Sequence, residues 1–304
     1  LKKKSILLLI LALFVVGAAG IYQNPKARWR AELCFSKIAG NLPETTWGDL
    51  AAATAPRRIV FGLGLSALSV NAGEQGEGPC SMLWKTRLGS FWGRKEDKEP
   101  LQVGLNNLLV EEAYFRSETR VRPGDVVFDG GSHLGTFTRF ALDQRASLIV
   151  AFEPDPVNGA CFEKTFKQEI EEGRVVLFQE ALWDKVGRLL FSEGDSSVDG
   201  MVWQSEMSSR GQSDKLEIPA TTVDEAVRRL KLERVDLIKL HIEGSERQAL
   251  IGARSTLVRF KPRILVALDH RANDPEVIPR LILDMVPGYQ IQMRGRNQAC
   301  FFMN

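Results

Sequence analysis

Cysteine is sparse in this chain and badly spaced for zinc: Cys34, Cys80, Cys161 and Cys300 stand alone, with no two in CxxC register. That excludes zinc-ribbon and thioredoxin-like centres. Four thiols so widely separated read as small buried hydrophobes in a reducing compartment rather than as a disulfide framework. Histidine is scarcer still, limited to His133, His241 and His270, and no metal site is expected. An excess of one charge is also missing. Forty Lys and Arg against 38 Asp and Glu leave +2, and Lys2, Lys3 and Lys4 account for more than that excess. The body of the chain therefore lacks the basic face that nucleic acid requires. With 44% hydrophobic and 26% charged residues over 304 positions, disordered and collagen-like chains are excluded and one large domain, or a smaller one with an extension, is expected.

Long uncharged runs are limited to one. After the basic flank at 1–4, Ser5 to Tyr22 runs eighteen residues without a charge, about 27 Å as a helix at roughly 1.5 Å per residue. A single-pass transmembrane anchor is expected there, with a cleaved signal segment as the alternative. Lys26, Arg28 and Arg30 beyond it nearly cancel the bias set by Lys2 to Lys4, so the positive-inside rule leaves orientation open. Residues 23–100, broken by Pro25, Pro43 and Pro56, read as a linker and N-terminal extension. Gly62-Leu-Gly64-Leu-Ser-Ala67 matches a dinucleotide fingerprint, but no clean helix, second strand and acid follow, so it reads as an apolar packing segment.

From Leu101 to the end the pattern sharpens into one α/β domain. A helix rich in Leu precedes Arg122-Pro-Gly-Asp125, which turns the chain into the continuous apolar strand Val126 to Asp129. Strands at 147–153, 175–178, 235–242 and 263–268 alternate with helices at 158–171, 224–230, 246–260 and 277–285. A hairpin strand at 188–192 and two closing strands near 289–293 and 299–303 complete the series. Such alternation predicts a doubly wound sheet covered on both faces.

Ligands of such sheets bind beyond the carboxyl ends of the strands. The first strand ends in Asp129-Gly-Gly-Ser-His-Leu-Gly135, where glycine lets the backbone approach a ligand and a helix N-terminus follows. Ser132 stands where the nicotinamide fingerprint needs glycine, which disfavours that cofactor. The second strand ends in Phe-Glu153-Pro-Asp155-Pro, and a carboxylate there can accept from both hydroxyls of a ribose. A later strand ends in Lys239-Leu-His241-Ile-Glu243-Gly-Ser-Glu246, whose alternation puts Lys239, His241 and Glu243 on one side. Three ionisable groups facing one way are costly unless paired or functional.

The blocks DGGSHLGTF, AFEPDP, VVLFQEALWD with GRLLF, IPATTVDEAV and VDLIKLHIEGSERQALIGARSTLVRFKPRILV together resemble the FkbM family of S-adenosylmethionine-dependent methyltransferases, across roughly Pro123 to His270. A lead-in at Leu83 to Trp92 also resembles some members. The resemblance implies a class I methyltransferase fold with a Rossmann-like seven-stranded sheet whose last strand is antiparallel. It implies S-adenosylmethionine as cofactor, with Asp129, Gly131, His133, Gly135 and Glu153 in the cofactor site and Glu180 and Ala181 near the adenine or methionine end. Catalytic roles fall to His241, Glu243 and Lys239, with His241 as base or acceptor-orienting group, Glu243 holding its ring and Lys239 bridging the carboxylates. Two departures stand out: His241 replaces the family's usual Asp, and His133 its usual Asn. The expected reaction is O-methylation of a hydroxyl on a sugar, glycolipid or secondary metabolite. The alternative is a catalytically silent binding or assembly protein at the membrane. Because the donor is cytoplasmic, the domain is expected on the cytoplasmic side of the anchor.

Overall fold

The computed structural model describes residues 69–109, 119–192, 201–203, 216–271, 273–294 and 298–303. Its centre is the run of apolar strands read from the sequence. β4 (Val126–Gly130), β5 (Leu148–Phe152), β6 (Val175–Phe178), β11 (Leu237–Leu240), β12 (Arg263–Ala267), β13 (Gln290–Arg294) and β14 (Gln298–Phe302) form one sheet in the order β13-β14-β12-β11-β4-β5-β6. β4 pairs in parallel with β5 and β11, and β11 with β12, whereas β14 runs antiparallel to both neighbours. The expectation of seven strands with an antiparallel last strand is met.

Period-two alternation sends successive side chains into two separate cores. Val126, Phe128, Val150, Phe152, Ile238, Leu240, Ile264 and Val266 face one side. There they meet α5 (Val223–Leu230), α6 (Glu246–Ile251), α7 (Arg254–Phe260) and α8 (Asp274–Met285) through Ala226, Leu250, Leu257 and Ile282. Val127, Ile149, Ala151, Leu237 and Leu265 face the other side. They are covered by α1 (Lys98–Leu109), α2 (Thr136–Asp143), α3 (Pro156–Thr165) and the turn after it through Leu101, Leu105, Phe140, Phe162 and Phe166. Full burial of such side chains contributes roughly 1.5–3 kcal/mol each.

Several expectations are corrected. The helix expected over 158–171 is two, because α3 stops at Thr165 and α4 (Lys167–Glu171) starts beyond Phe166, whose ring is buried against Phe162. The helix over 246–260 likewise divides into α6 and α7 around Gly252 and Ala253. The strand at β8 (Gly187–Ser192) stands outside the central sheet. With β7 (Ala181–Leu182), β9 (Met201–Trp203) and β10 (Leu216–Thr221) it forms a second sheet in the order β7-β10-β8-β9.

The extension is not a linker from residue 69 onward. β1 (Asn71–Gln75), β2 (Met82–Thr86) and β3 (Gly89–Gly93) form an antiparallel meander. Its Met82, Trp84 and Phe91 belong to the same core as Val127 and Ile149, so the domain begins well before Leu101. Cys80 and Cys161, expected as free thiols, form a disulfide with Cα atoms 5.3 Å apart. Packing of the meander on α3 brings them together, which spacing along the chain cannot reveal. Cys300 is a buried free thiol, as expected, and Cys34 lies outside the described residues.

The membrane assignment is also corrected. The segment Ser5 to Tyr22 lies outside the described residues, and among those residues no helix is long and apolar enough to cross a membrane. The longest of them, α1 and α8, have 12 residues each, about 18 Å against the roughly 30 Å of a hydrocarbon core.

The disulfide closes a loop with a sequence separation of 81. Replacing Cys80 and Cys161 together by Ser is expected to lower unfolding stability by about 2–4 kcal/mol, read from urea denaturation. An unchanged midpoint would show that the crosslink does not constrain the chain.

Candidate active site

A cleft of about 410 Å³ opens at the carboxyl edge of the central sheet, where β4, β5, β11 and β12 end. Its floor is the turn after β4. Gly131 N and Ser132 N both donate to Phe152 O at 3.0 Å, and His241 N donates to Gly130 O at 3.2 Å. The turn is thereby stitched to both neighbouring strands. Gly131 has φ +73, and a Cβ there would lie 2.0 Å from the His241 carbonyl oxygen, so only glycine fits. At Gly135, φ is +89 and a Cβ would meet the Phe166 ring at 2.2 Å. His133 also has positive φ, at 50. Asn, Asp and His enter that region more readily than other side chains, so His suits this position. Burial pushes its imidazole down to about 4, so the ring is neutral at pH 7.

Asp129 lies behind the turn rather than in the cleft and is fully buried. It accepts from Lys239 Nζ at 2.9 Å and from Thr138 Oγ1 at 2.7 Å. Lys239 Nζ also donates to Gly130 O at 3.1 Å and Gly131 O at 2.7 Å. The expected bridge from Lys239 to the other carboxylates is therefore corrected. Its three donors are aimed at Asp129 and the turn, because β11 ends at Leu240 and the chain changes direction beyond it.

Glu153, at the end of β5, lines the cleft. Its two carboxylate oxygens accept from His133 N at 2.7 Å and Asp155 N at 3.0 Å. Burial outweighs these hydrogen bonds and pushes the carboxyl up to about 7. Asp155 caps α3, accepting from Val157 N and Asn158 N at 2.8 and 2.7 Å, with Pro156 at the first helical position as such a start favours. Arg94, arriving from the meander, donates to both Asp155 oxygens at 3.1 and 3.2 Å. Glu180 and Ala181 also line the cleft, and Glu180 is paired with Arg229 at 2.6 Å.

Across the turn from Glu153 lies a second group of polar side chains. His241 Nε2 is 3.6 Å from Glu243 Oε1, and His270 Nε2 is 3.1 Å from Glu243 Oε2. His270 Nδ1 lies 3.0 Å from Glu246 Oε1, off the line of a directional hydrogen bond, so that contact is chiefly ionic. Burial, assisted by the Lys239 charge, lowers His241 below its ordinary value. Burial also opposes charge on His270, but Glu243 and Glu246 outweigh it and hold that imidazole up to about 11. Glu243 itself has φ 52 and is followed by Gly244 at φ 96. A left-handed Glu costs of order 1–3 kcal/mol and is found chiefly where function requires it.

The structure thus gathers Gly131, His133, Glu153, Glu180, Ala181, Lys239, His241 and Glu243 around one cleft, and leaves Asp129 and Gly135 as supports behind it. The sequence reading missed Ser132, Asp155, Asn158 and His270 as lining residues. His270 was detectable, since it lies just past a strand that ends at Ala267.

The edge-of-sheet cleft and seven-stranded order define a methyltransferase-like α/β protein. The profile of the family described as "Methyltransferase FkbM domain" matches residues 129–288. The chain belongs to this family and is therefore an S-adenosylmethionine-dependent methyltransferase. It is 25% identical over 184 residues to the 2-O-methyltransferase NoeI of Sinorhizobium fredii (strain NBRC 101917 / NGR234), covering 56% of this chain and 74% of that protein. It is likewise 25% identical over 180 residues to the 31-O-demethyl-FK506 methyltransferase FkbM of Streptomyces tacrolimicus, covering 50% and 68%. Among solved structures, a methyltransferase FkbM from Methylobacillus flagellatus KT aligns with a TM-score of 0.46 and 20% identity over 69% of this chain and 56% of that one. The chain thus spans little more than half the length of that structure.

Lys239→Met should cost about 3–5 kcal/mol of stability, because it leaves Asp129 buried and without its cation. Adding Asp129→Asn to the same protein should recover much of the loss. Equal destabilisation of the single and double variants in thermal unfolding would show that the pair does not organise the turn.

Proposed function

We propose that this methyltransferase binds S-adenosylmethionine between the turn after β4 and Glu153, and methylates a hydroxyl oxygen of a sugar, glycolipid or secondary metabolite held against His241. The observation that carries the reading is the division of one cleft by the turn. A carboxylate that can receive a ribose stands beside β5, and imidazoles that can receive a hydroxyl proton stand beyond β11 and β12.

The residues present fit the cofactor. Ser132 Oγ is buried without a hydrogen-bond partner in the protein and lines the cleft, so it is available to a polar ligand. Gly131 keeps that wall free of side chain. Glu153 accepts from His133 N, Asp155 N and the Asn158 side chain, which leaves one of its roughly four acceptor positions for a ribose hydroxyl. When bound, S-adenosylmethionine supplies a methyl group activated by its sulfonium.

What remains for the protein is to align the acceptor oxygen and take its proton. His241 is half-buried beside the cleft, and its lowered pKa leaves it an unprotonated base at neutral pH. Glu243 lies within reach of that ring and restricts its orientation. The two curated relatives are named as a 2-O-methyltransferase and a 31-O-demethyl-FK506 methyltransferase, which supports a hydroxyl acceptor here. His241→Ala is expected to leave cofactor affinity unchanged while methyl transfer to a responsive glycan or metabolite acceptor falls about 100-fold or more. Parallel loss of stability, cofactor affinity and turnover would reduce His241 to a structural residue.

The Glu153 carboxyl, raised to about 7, predicts a pH profile for cofactor binding. Its folded-state pKa exceeds the unfolded value, so its contribution to stability is full at acid pH below that value and is lost as pH rises through about 7. The ionised form that can accept from a ribose hydroxyl appears over the same window. Affinity for S-adenosylmethionine should therefore climb from pH 5.5 to 8.5, with proton release on binding below about pH 7. Calorimetry in buffers of different ionisation enthalpy reads both quantities, and Glu153→Gln should flatten the profile. A flat wild-type profile would remove Glu153 from the cofactor site.

A further inference from the structure

We infer that His241, Glu243 and His270 form the binding site of one divalent first-row transition cation at the acceptor end of the cleft. Two imidazoles and a carboxylate converge there with their ligand atoms all within 4.8 Å of one another. Ions held at roughly 2.0–2.2 Å by three such ligands place neighbouring donor atoms about 3–3.5 Å apart. The separations of 3.1 Å from His270 Nε2 and 3.6 Å from His241 Nε2 to Glu243 are close to that spacing. All three side chains line the cleft, and all keep partial exposure, at 33%, 29% and 14% for His241, Glu243 and His270. Coordination positions on the cleft side would therefore remain open to a ligand.

A second observation concerns Glu246, which lies outside that trio. Metal-bound histidines commonly present their other nitrogen to a carboxylate, which orients the ring and raises its basicity. His270 has a carboxylate on that side, in ionic contact: Nε2 faces Glu243, while Nδ1 lies 3.0 Å from Glu246. Glu246 is buried and locked in turn by hydrogen bonds from Ile242 N at 2.9 Å and Gly244 N at 3.0 Å. Asp269 lines the same cleft and adds a further acidic group. The imidazole ligands favour zinc, cobalt, nickel or iron over magnesium, which takes oxygen ligands.

The chemistry of this site rests on the proposed O-methyl transfer, although binding of the cation does not. An acceptor hydroxyl on the cation would lose its proton more readily. The O–H bond breaks and the proton leaves to solvent; the oxygen attacks the methyl carbon with the electron pair it keeps, while the C–S bond breaks and its pair stays on sulfur, which leaves as the neutral thioether of S-adenosylhomocysteine. His241 then acts as a ligand instead of as the base.

The test uses the untagged chain, treated with chelator and freed of it, and titrated with Co²⁺ while visible d–d absorption is recorded. One equivalent is expected to bind, and Zn²⁺ should displace it. Glu243→Gln and His270→Gln should each weaken binding about 100-fold or more, and Glu246→Gln about 10-fold to 100-fold. Calorimetry with S-adenosylmethionine on the same variants checks that they are folded. Absence of the absorption, or its persistence in the Glu243 and His270 variants, would overturn the site and leave an imidazolium held between two carboxylates. Stoichiometric Co²⁺ binding with no methyl transfer to any hydroxyl acceptor would instead remove the proposed reaction and leave the cation site standing. Full methyl transfer by protein that binds no Co²⁺ would do the reverse.

Discussion

The ammonium of Lys239 is the interaction on which the cleft depends. It stands at the centre of the sheet on β11 and holds Asp129 of β4 and two carbonyls of the following turn. A buried charge is tolerable only when paired and fully hydrogen-bonded, and here the partners that satisfy it also set the path of the backbone. Gly131 can then pass against His241, and Ser132 and His133 are presented to the cleft. Asp129 and Lys239, one charged group from each of the two strand-end motifs, thus serve as scaffold. Chemistry is left to the residues just beyond them.

The cofactor side is braced from a distance. Glu153 is held by the backbone of His133 and Asp155, Asp155 by Arg94, and the segment carrying Arg94 by the meander and its disulfide to α3. Residues 69–97 therefore belong to the working unit, although the match to the family begins only at Asp129. The acceptor side is built differently. There a left-handed Glu243 and a buried Glu246 turn the chain so that groups from the ends of two strands meet.

Much of this architecture was legible in the residues. Continuous apolar strands such as Val126 to Phe128 admit few readings, and the glycines at 131 and 135, expected where the backbone nears a ligand, lie against the His241 carbonyl and the Phe166 ring of the protein itself. What misled was the assumption that a local pattern continues. Alternation groups Lys239 with His241 and Glu243, and all three do line the cleft, but β11 ends at Leu240 and the Lys239 ammonium is taken up by Asp129 and the turn. Helical periodicity was carried through Phe166 and Gly252, where one ring burial and one close packing contact divide the helices.

The sequence by itself determined the alternating order of elements, the sidedness of each apolar strand and the two strand-end motifs, because these depend on neighbours a few positions apart. Only the tertiary structure decided which distant groups meet. Cys80 finds Cys161 when the meander packs on α3, Arg94 finds Asp155, and His270 comes to Glu243 and Glu246 because β12 lies beside β11. Contacts of this kind are set by packing of whole surfaces rather than by chemical preference between two residues, and spacing along the chain carries no record of them.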